Sequence, residues 1–300
     1  MTSPKPYRML VTGAAGQVGS ELLRLANSYR TTFDLHAASR TDLDIATADS
    51  NTLTQYIRQH NINVVINAAA YTQVDAAEAN PEMAYRVNAQ AVRNLSEACA
   101  AAGCALLHYS TDFVFDGQKN TPYTETDPVN PIGVYGKSKH DGEIAALAAN
   151  PRCVVLRTSW VYSSKGNNFI KTMLRLSAER THINVVYDQV GSPTYAADLA
   201  QASWQILQVL LADAQHPAWG KIFHYANQGV TSWFDLAYQV VQRSGNACTV
   251  TPIETKDYPT PARRPAYSVL ATDALRQTFG IHIPYWRDSL MQCLLLLDQK

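Results

Sequence analysis

Short apolar runs alternate with longer amphipathic stretches through the first half of this 300-residue chain. Residues 8–12, 33–38, 64–67, 105–110 and 153–158 read as strands. Residues 17–29, 51–60, 81–102 and 134–149 carry apolar positions at helical spacing and read as helices. Strand–helix alternation at this interval predicts an α/β fold, a doubly wound parallel sheet with helices on both faces.

After Trp160 the rhythm loosens. Residues 168–179, 195–211, 232–244 and 286–297 read as helices, and 183–186 and 222–225 as strands. Pro252, Pro259, Pro261 and Pro265 preclude a regular helix, so residues 251–265 are expected to be a loop. The expected organisation is a sheet domain over residues 1–160 and a smaller α/β lobe over 161–300. Segments within 192–226 are expected to return to the sheet. No internal repeat or low-complexity tract interrupts this plan.

Composition narrows the partners. Lys+Arg and Asp+Glu number 25 each, with no basic run or stripe, which argues against nucleic acid and anionic membrane. No apolar stretch approaches the ~18 residues a membrane span needs; residues 293–297 are the end of an amphipathic helix. The start, residues 1–7, is short, polar and proline-bearing, without a signal-peptide apolar region, so cytoplasm is the expected location. The five cysteines have no Cys-x-x-Cys spacing and read as small apolar residues in a reducing compartment. The eight histidines form neither His-x-His nor His-Glu-x-x-His, so zinc has no support.

Two constellations carry chemistry. Gly13, Gly16 and Gly19 directly follow the first strand and open the first helix. In that place a glycine triplet gives a tight turn, close approach of a pyrophosphate, and a phosphate site at the helix N-terminus. The second strand ends in Ala38-Ser39-Arg40, where an NAD enzyme commonly has an acidic residue on the ribose hydroxyls. Arg40 can instead meet a 2′-phosphate, which favours NADPH and leaves NADH use open; a solvated loop arginine is the alternative. Asp44 and Ile45 can border the adenine. Ala69, Ala70 and Tyr71 end the third strand where small side chains suit a flat cofactor, or simply tight strand–helix packing. Asp75 and Glu78 match a helix-start capping pattern and are read as structural.

At the other constellation, Ser110 and Thr111 sit at the carboxyl end of a strand, where ligands bind in open α/β sheets. A hydroxyl there can bond a carbonyl oxygen as charge develops on it. Tyr135-Gly-Lys-Ser-Lys139 opens the following helix, with tyrosine and lysine on one face. The ammonium is expected to lower the phenol pKa toward the working range, so that Tyr135 can exchange a proton while a nicotinamide exchanges hydride.

Together these residues resemble the extended short-chain dehydrogenase/reductases, and within them the dTDP-4-dehydrorhamnose reductases. The resemblance runs through residues 12–19, 67–75, 110–117, 135–143, 157–162, 168–176, 188–199 and 263–270. It implies a Rossmann sheet over residues 1–160 that binds the dinucleotide, and a lobe that binds a nucleotide-activated 6-deoxysugar. It implies reduction of that sugar's C4 keto group by NADPH in a monomer or homodimer. Tyr135 would donate the proton, Lys139 would lower its pKa and hold the nicotinamide ribose, and Thr111 would polarise the carbonyl. Gly16, Gln17 and Val18 would carry the pyrophosphate. Asp44 and Ile45 would flank the adenine, with Ala69, Ala70, Tyr71 and Tyr109 along the cofactor. Asp112 and Trp160 would contact the sugar nucleotide, though a tryptophan after a buried strand is also an ordinary core residue. Arg263 or Arg264 would pair with the diphosphate or, equally, anchor the proline-rich loop. Some relatives bind Mg²⁺ through glutamates; here Glu21 is a weak candidate and only Asp198 lies where further acids are wanted.

Other enzymes of the scaffold set the alternatives. Dehydratases carry an acidic pair after the threonine, whereas Asp112 is followed here by Phe113. An epimerase shares the tyrosine and lysine. A non-catalytic NADP-binding regulator would be expected to have lost part of the set that this chain retains.

Overall fold

In the computed structural model, residues 6–298 are described. Residues 1–5 and 299–300 lie outside them, and with them most of the amino-terminal stretch read above for a signal peptide. The first half runs β1 (Tyr7–Thr12), α1 (Gln17–Leu25), β2 (Phe33–Ala37), α2 (Ser50–Gln59), β3 (Val64–Asn67), α3 (Val74–Ala79), α4 (Pro81–Tyr85), α5 (Ala91–Ala101), β4 (Ala105–Thr111), α6 (Val134–Ala149) and β5 (Cys153–Thr158). The second runs β6 (Val161–Tyr162), α7 (Phe169–Glu179), β7 (His182–Val186), β8 (Val190–Gly191), β9 (Thr194–Tyr195), α8 (Ala196–Ala212), β10 (Lys221–His224), β11 (Thr231–Ser232), α9 (Trp233–Ser244), β12 (Thr249–Ile253), α10 (Asp273–Phe279) and α11 (Trp286–Asp298).

Six parallel strands form the central sheet in the order β10-β5-β4-β3-β1-β2. Its inner strands are buried on both sides, and their alternate residues feed two cores. Met9, Val11, Ile66 and Leu107 meet α1 and α8 through Leu22, Leu199 and Trp204. Leu10, Val65, Leu106 and Val155 meet α2, α5 and α6 through Leu53, Leu95 and Ala146. Strand order reverses beside β1, so the loops leaving β1 and β3 diverge there and open a crevice at their carboxyl ends.

Trp286, Leu290 and Cys293 of α11 pack with α7, α9 and two two-stranded sheets (β12-β7 and β6-β9) around a separate core, and a third small sheet, β11-β8, lies in the same part of the chain. That lobe faces the crevice. The chain between the two bodies crosses repeatedly: β10 pairs with β5, and Leu275 of α10 with Ile281 and Ile283 joins the core under the sheet.

Four expectations are corrected. The helix expected over 81–102 is broken by a π-helical turn, Arg86–Gln90, between α4 and α5. The loop expected from Thr251 begins as strand: Thr251, Pro252 and Ile253 pair with β7. Pro252 is tolerated because β12 has a neighbour on one side only, and its missing N–H costs no ladder bond. Asp75 and Glu78 do not cap their own helix: Gln73 stands at the N-cap of α3 without a side-chain bond. Instead, Asp75 pairs with Arg264, and Glu78 accepts from the N–H of Val134 at the start of α6. Finally, α10 forms where no helix was expected. Among the described residues no helix is long and apolar enough to cross a membrane.

Candidate active site

At the turn after β1, Gly13 adopts φ +66°, a left-handed conformation that L side chains rarely take. A Cβ on it would lie 2.6 Å from the Ala68 carbonyl carbon, so the crevice loops can touch only at glycine. Gly19 lets α1 ride directly on the Gly13 carbonyl. Gly16 is the N-cap of α1, no side chain caps the helix, and its first turn carries no acid. The N–H groups of Gln17, Val18 and Gly19 therefore start a helix with its positive end toward the crevice. These residues fit a dinucleotide pyrophosphate. Gln17 also spends its side chain on the lobe: Oε1 accepts from Asn168 at 2.9 Å and Nε2 reaches the Val161 carbonyl at 3.4 Å.

The outer cofactor residues divide. Arg40 is exposed and pairs with Asp44 at 3.0 Å, while Ala69, Ala70 and Tyr71 are half-buried along the crevice. The side chains of Ile45 and Tyr109 point into the cores. Ile45 is buried in the core on the α2 face. The Tyr109 ring lies in the opposite core, with its hydroxyl 2.6 Å from Ser203, so only its backbone faces the site.

Thr111 ends β4 and Asp112 begins the turn after it, both buried. The Thr111 hydroxyl donates to Asp112 Oδ1 at 3.0 Å, and Asp112 Oδ2 has no hydrogen-bond partner among the described residues. Burial pushes the Asp112 carboxyl up to about 6, with the nearby Ser268 and Thr111 hydroxyls opposing. Tyr135 and Lys139 lie one turn apart on α6. The helix comes this close because Gly136 and Gly142 leave no side chain between it and the carbonyls of Phe113 and Asn88. Ser138 turns the other way and accepts from Asn88 Nδ2 at 3.0 Å. Asn88 sits in the π-helical turn and also bonds both backbone groups of Tyr71. The Phe113 ring meets Tyr135 edge-on, with centroids 5.6 Å apart.

The expected lowering of the tyrosine pKa by Lys139 is not what this geometry gives. Burial pushes the Tyr135 phenol up to about 12, the Thr111 hydroxyl opposing and the Asp112 charge adding. The Lys139 ammonium is turned away, donating to the Tyr109 carbonyl at 2.6 Å and lying 3.4 Å from His108 Nε2. Burial holds Lys139 down to about 8, with Glu143 opposing. One turn further on, Glu143 receives two bonds from Arg157, at 2.8 and 2.7 Å, and lies 3.3 Å from His140. Against its burial, Arg157 and His140 hold that carboxyl down to about 2. His108, Asn67, Asn88, Glu143 and Arg157 escaped the sequence reading because polar residues within strands and helices have no spacing signature.

Across the crevice Trp160 has φ +47°, a strained conformation for a bulky residue. Its ring stacks on Trp233 at 3.6 Å and lies so close to Gly191 that a Cβ there would sit 2.6 Å away. Trp233 in turn lines a cavity of about 610 Å³ with Phe169, Met173, Val185 and Tyr258. Arg264 is at its margin, but its guanidinium holds Asp75 with two bonds, 3.1 and 2.7 Å, together with Thr260 and the Ala262 carbonyl. The structure thus uses Arg264 as an anchor for the proline-rich loop. Arg263 is exposed and without an ion pair among the described residues. Glu21 is buried against Arg24 and Ser163, and Asp198 bonds Ser289 and Asn227. No group of three metal-ligating side chains is close enough to share an ion among the described residues.

The family described as RmlD substrate binding domain matches residues 7–298. The chain belongs to this family. A dTDP-4-dehydrorhamnose reductase of Sinorhizobium fredii is 42% identical over 98% of this chain and 99% of its own length. Among solved structures, the dTDP-4-dehydrorhamnose reductase of Clostridium acetobutylicum superposes with a TM-score of 0.89 at 36% identity, covering 97% of this chain and 99% of the other. The Bacillus anthracis reductase, solved in complex with NADP, gives 0.87 at 34% identity, covering 97% and 100%.

Proposed function

We propose that this chain reduces the C4 keto group of dTDP-4-dehydro-L-rhamnose to give dTDP-L-rhamnose, with NADPH as reductant. The observation that carries the reading is the joint placement of Thr111 and Tyr135 at the carboxyl end of β4, beside the uncapped start of α1. When bound there, NADPH supplies the hydride. Tyr135, with a phenol pKa of about 12, keeps its proton at neutral pH and releases it to a developing alkoxide, which is more basic still. The Thr111 hydroxyl turns from Asp112 to bond the same oxygen. Lys139 serves the cofactor ribose from the floor of the site. Asp112 Oδ2, buried and without a partner, is placed to accept from a sugar hydroxyl.

In this reading Trp160 forms the wall against the sugar, the adjoining cavity receives the nucleotide, and exposed Arg263 approaches the diphosphate. Residues 161–195, 227–265 and the helix α11 would make up the sugar-nucleotide lobe. Where a dehydratase places a second acid, the Phe113 ring packs on Tyr135, which favours reduction over water elimination. Arg40 favours the 2′-phosphate of NADPH over NADH, and we place the reaction in the cytoplasm, where buried thiols such as Cys99 and Cys153 stay reduced. The test is NADPH oxidation by the purified protein with dTDP-4-dehydrorhamnose, followed by NMR of the product. Tyr135→Phe is expected to lower kcat at least about 100-fold while NADPH still binds. Absence of turnover in the native protein, or unchanged turnover in the variant, would overturn the reading.

A further inference from the structure

His108 has no part in the steps above, although it is fully buried and lies 3.4 Å from the Lys139 ammonium. Its neighbours decide where its proton lies. Asn67 Oδ1 accepts from the Ala69 N–H at 3.3 Å and from the Thr12 hydroxyl at 2.7 Å. A backbone N–H can only donate, so this end of the amide is the oxygen, and Nδ2 is the end turned to His108. Nδ2 likewise can only donate. It lies 3.1 Å from His108 Nδ1, which must therefore present its lone pair. A neutral imidazole with a bare Nδ1 carries its proton on Nε2. An imidazolium would set two donors against each other at Nδ1, and burial with the Lys139 charge already holds His108 well below the usual histidine range.

We propose that the chain Thr12–Asn67–His108 makes His108 a positioning residue, turning an N–H rather than a lone pair toward Lys139 and biasing that lysine toward its uncharged amine. The inference deepens the reductase reading, in which Lys139 belongs to the reacting set. An N–H directed at Nζ is accepted by the lone pair of an amine and opposed by an ammonium. The other groups around Nζ do not supply this bias. On α6, Tyr135 is a neutral phenol, and the Glu143 carboxylate favours the ammonium. Arg157 from β5 and His140 both engage Glu143 and so blunt that pull. The Tyr109 carbonyl on β4 favours the ammonium too. Burial brings the lysine down to about 8, and the His108 N–H, 3.4 Å from Nζ, acts in the same direction.

The test follows the histidine tautomer and the lysine titration directly, in full-length protein labelled with ¹⁵N-histidine and ¹³Cε-lysine. Assignment uses His108→Phe and Lys139→Met. The native protein is expected to show His108 with a bare Nδ1 and a protonated Nε2. Asn67→Asp keeps both acceptors for Thr12 and Ala69 but offers a carboxylate oxygen to Nδ1, so the proton moves to Nδ1 and a lone pair faces Lys139. The Lys139 midpoint is then expected to rise by about one pH unit, a tenfold change in its protonation equilibrium. The alkaline fall of NADPH oxidation should move up with it. A protonated Nδ1 in the native protein overturns the proposal, as does a reversed tautomer that leaves the Lys139 midpoint where it was. Should Asn67→Asp fail to fold, His108→Phe removes the N–H, and a midpoint that does not rise is equally fatal. Absence of NADPH oxidation would sink the reductase reading alone, because both NMR readouts are independent of turnover.

Discussion

The sheet wall and the lobe wall of the crevice hold their functional side chains by different means. Behind Tyr135 and Lys139 buried charges are held by directed bonds: Glu143 takes both arms of Arg157, and Lys139 takes a carbonyl. Behind Trp160 there is stacking on Trp233 and the open backbone of Gly191. The sheet wall fixes protonation states, which requires buried hydrogen bonds of defined direction. The lobe wall fixes the orientation of a flat surface, which close packing achieves alone.

The largest test of that contrast is Arg157→Met, which leaves Glu143 buried without its partner. Unfolding in urea is expected to show a loss of about 3–5 kcal/mol, because an uncompensated buried carboxylate is left behind. Because the Glu143 pKa is depressed in the folded state, its contribution is present above about 4.5 and is lost as pH falls toward 2. The variant should therefore show a flatter acid dependence of stability across that window. If Arg157→Met is as stable as the native protein, the sheet wall is not held by its charges.

On the lobe wall, Gly191→Ala would drive a methyl into the Trp160 ring. A cost of about 1–3 kcal/mol is expected from overpacking, with KM for the sugar nucleotide rising more than kcat falls. An equal loss in both would place Trp160 in the reacting set and erase the distinction. The pH dependence sharpens it further. Since burial raises Asp112 to about 6, the carboxylate proposed to accept a sugar hydroxyl is present above that pH and is lost below it. KM is expected to climb as pH falls through about 6, and Asp112→Asn should flatten the climb. The smallest effect is expected for Arg264→Gln. It loosens a half-exposed ion pair worth at most about 1 kcal/mol, visible as a small fall in thermal midpoint with KM little changed; a large rise in KM would return Arg264 to the diphosphate.

The order of the sheet elements and the placement of Gly13, Thr111, Tyr135 and Lys139 were legible in the chain, because each depends on local spacing. Strands buried on both faces write apolar runs, and a phosphate turn writes glycines before a helix. Pro252 misled because its tolerance depends on β12 having no second neighbour, which is a property of the assembled sheet. Asp75 and Glu78 misled because a capping pattern states what a carboxylate can bond locally, while Arg264 and Val134 arrive from distant parts of the chain.

What the sequence alone determined, then, is the scaffold and the positions on it of the proposed reacting groups, since periodicity and motif spacing follow from backbone geometry. Only the tertiary structure decided their charge. The Tyr135 phenol rises rather than falls, Lys139 approaches neutrality, and His108 turns a defined nitrogen toward it. Those outcomes depend on burial and on which donor faces which acceptor across strands far apart in the chain, and neither is written in the order of residues along one helix.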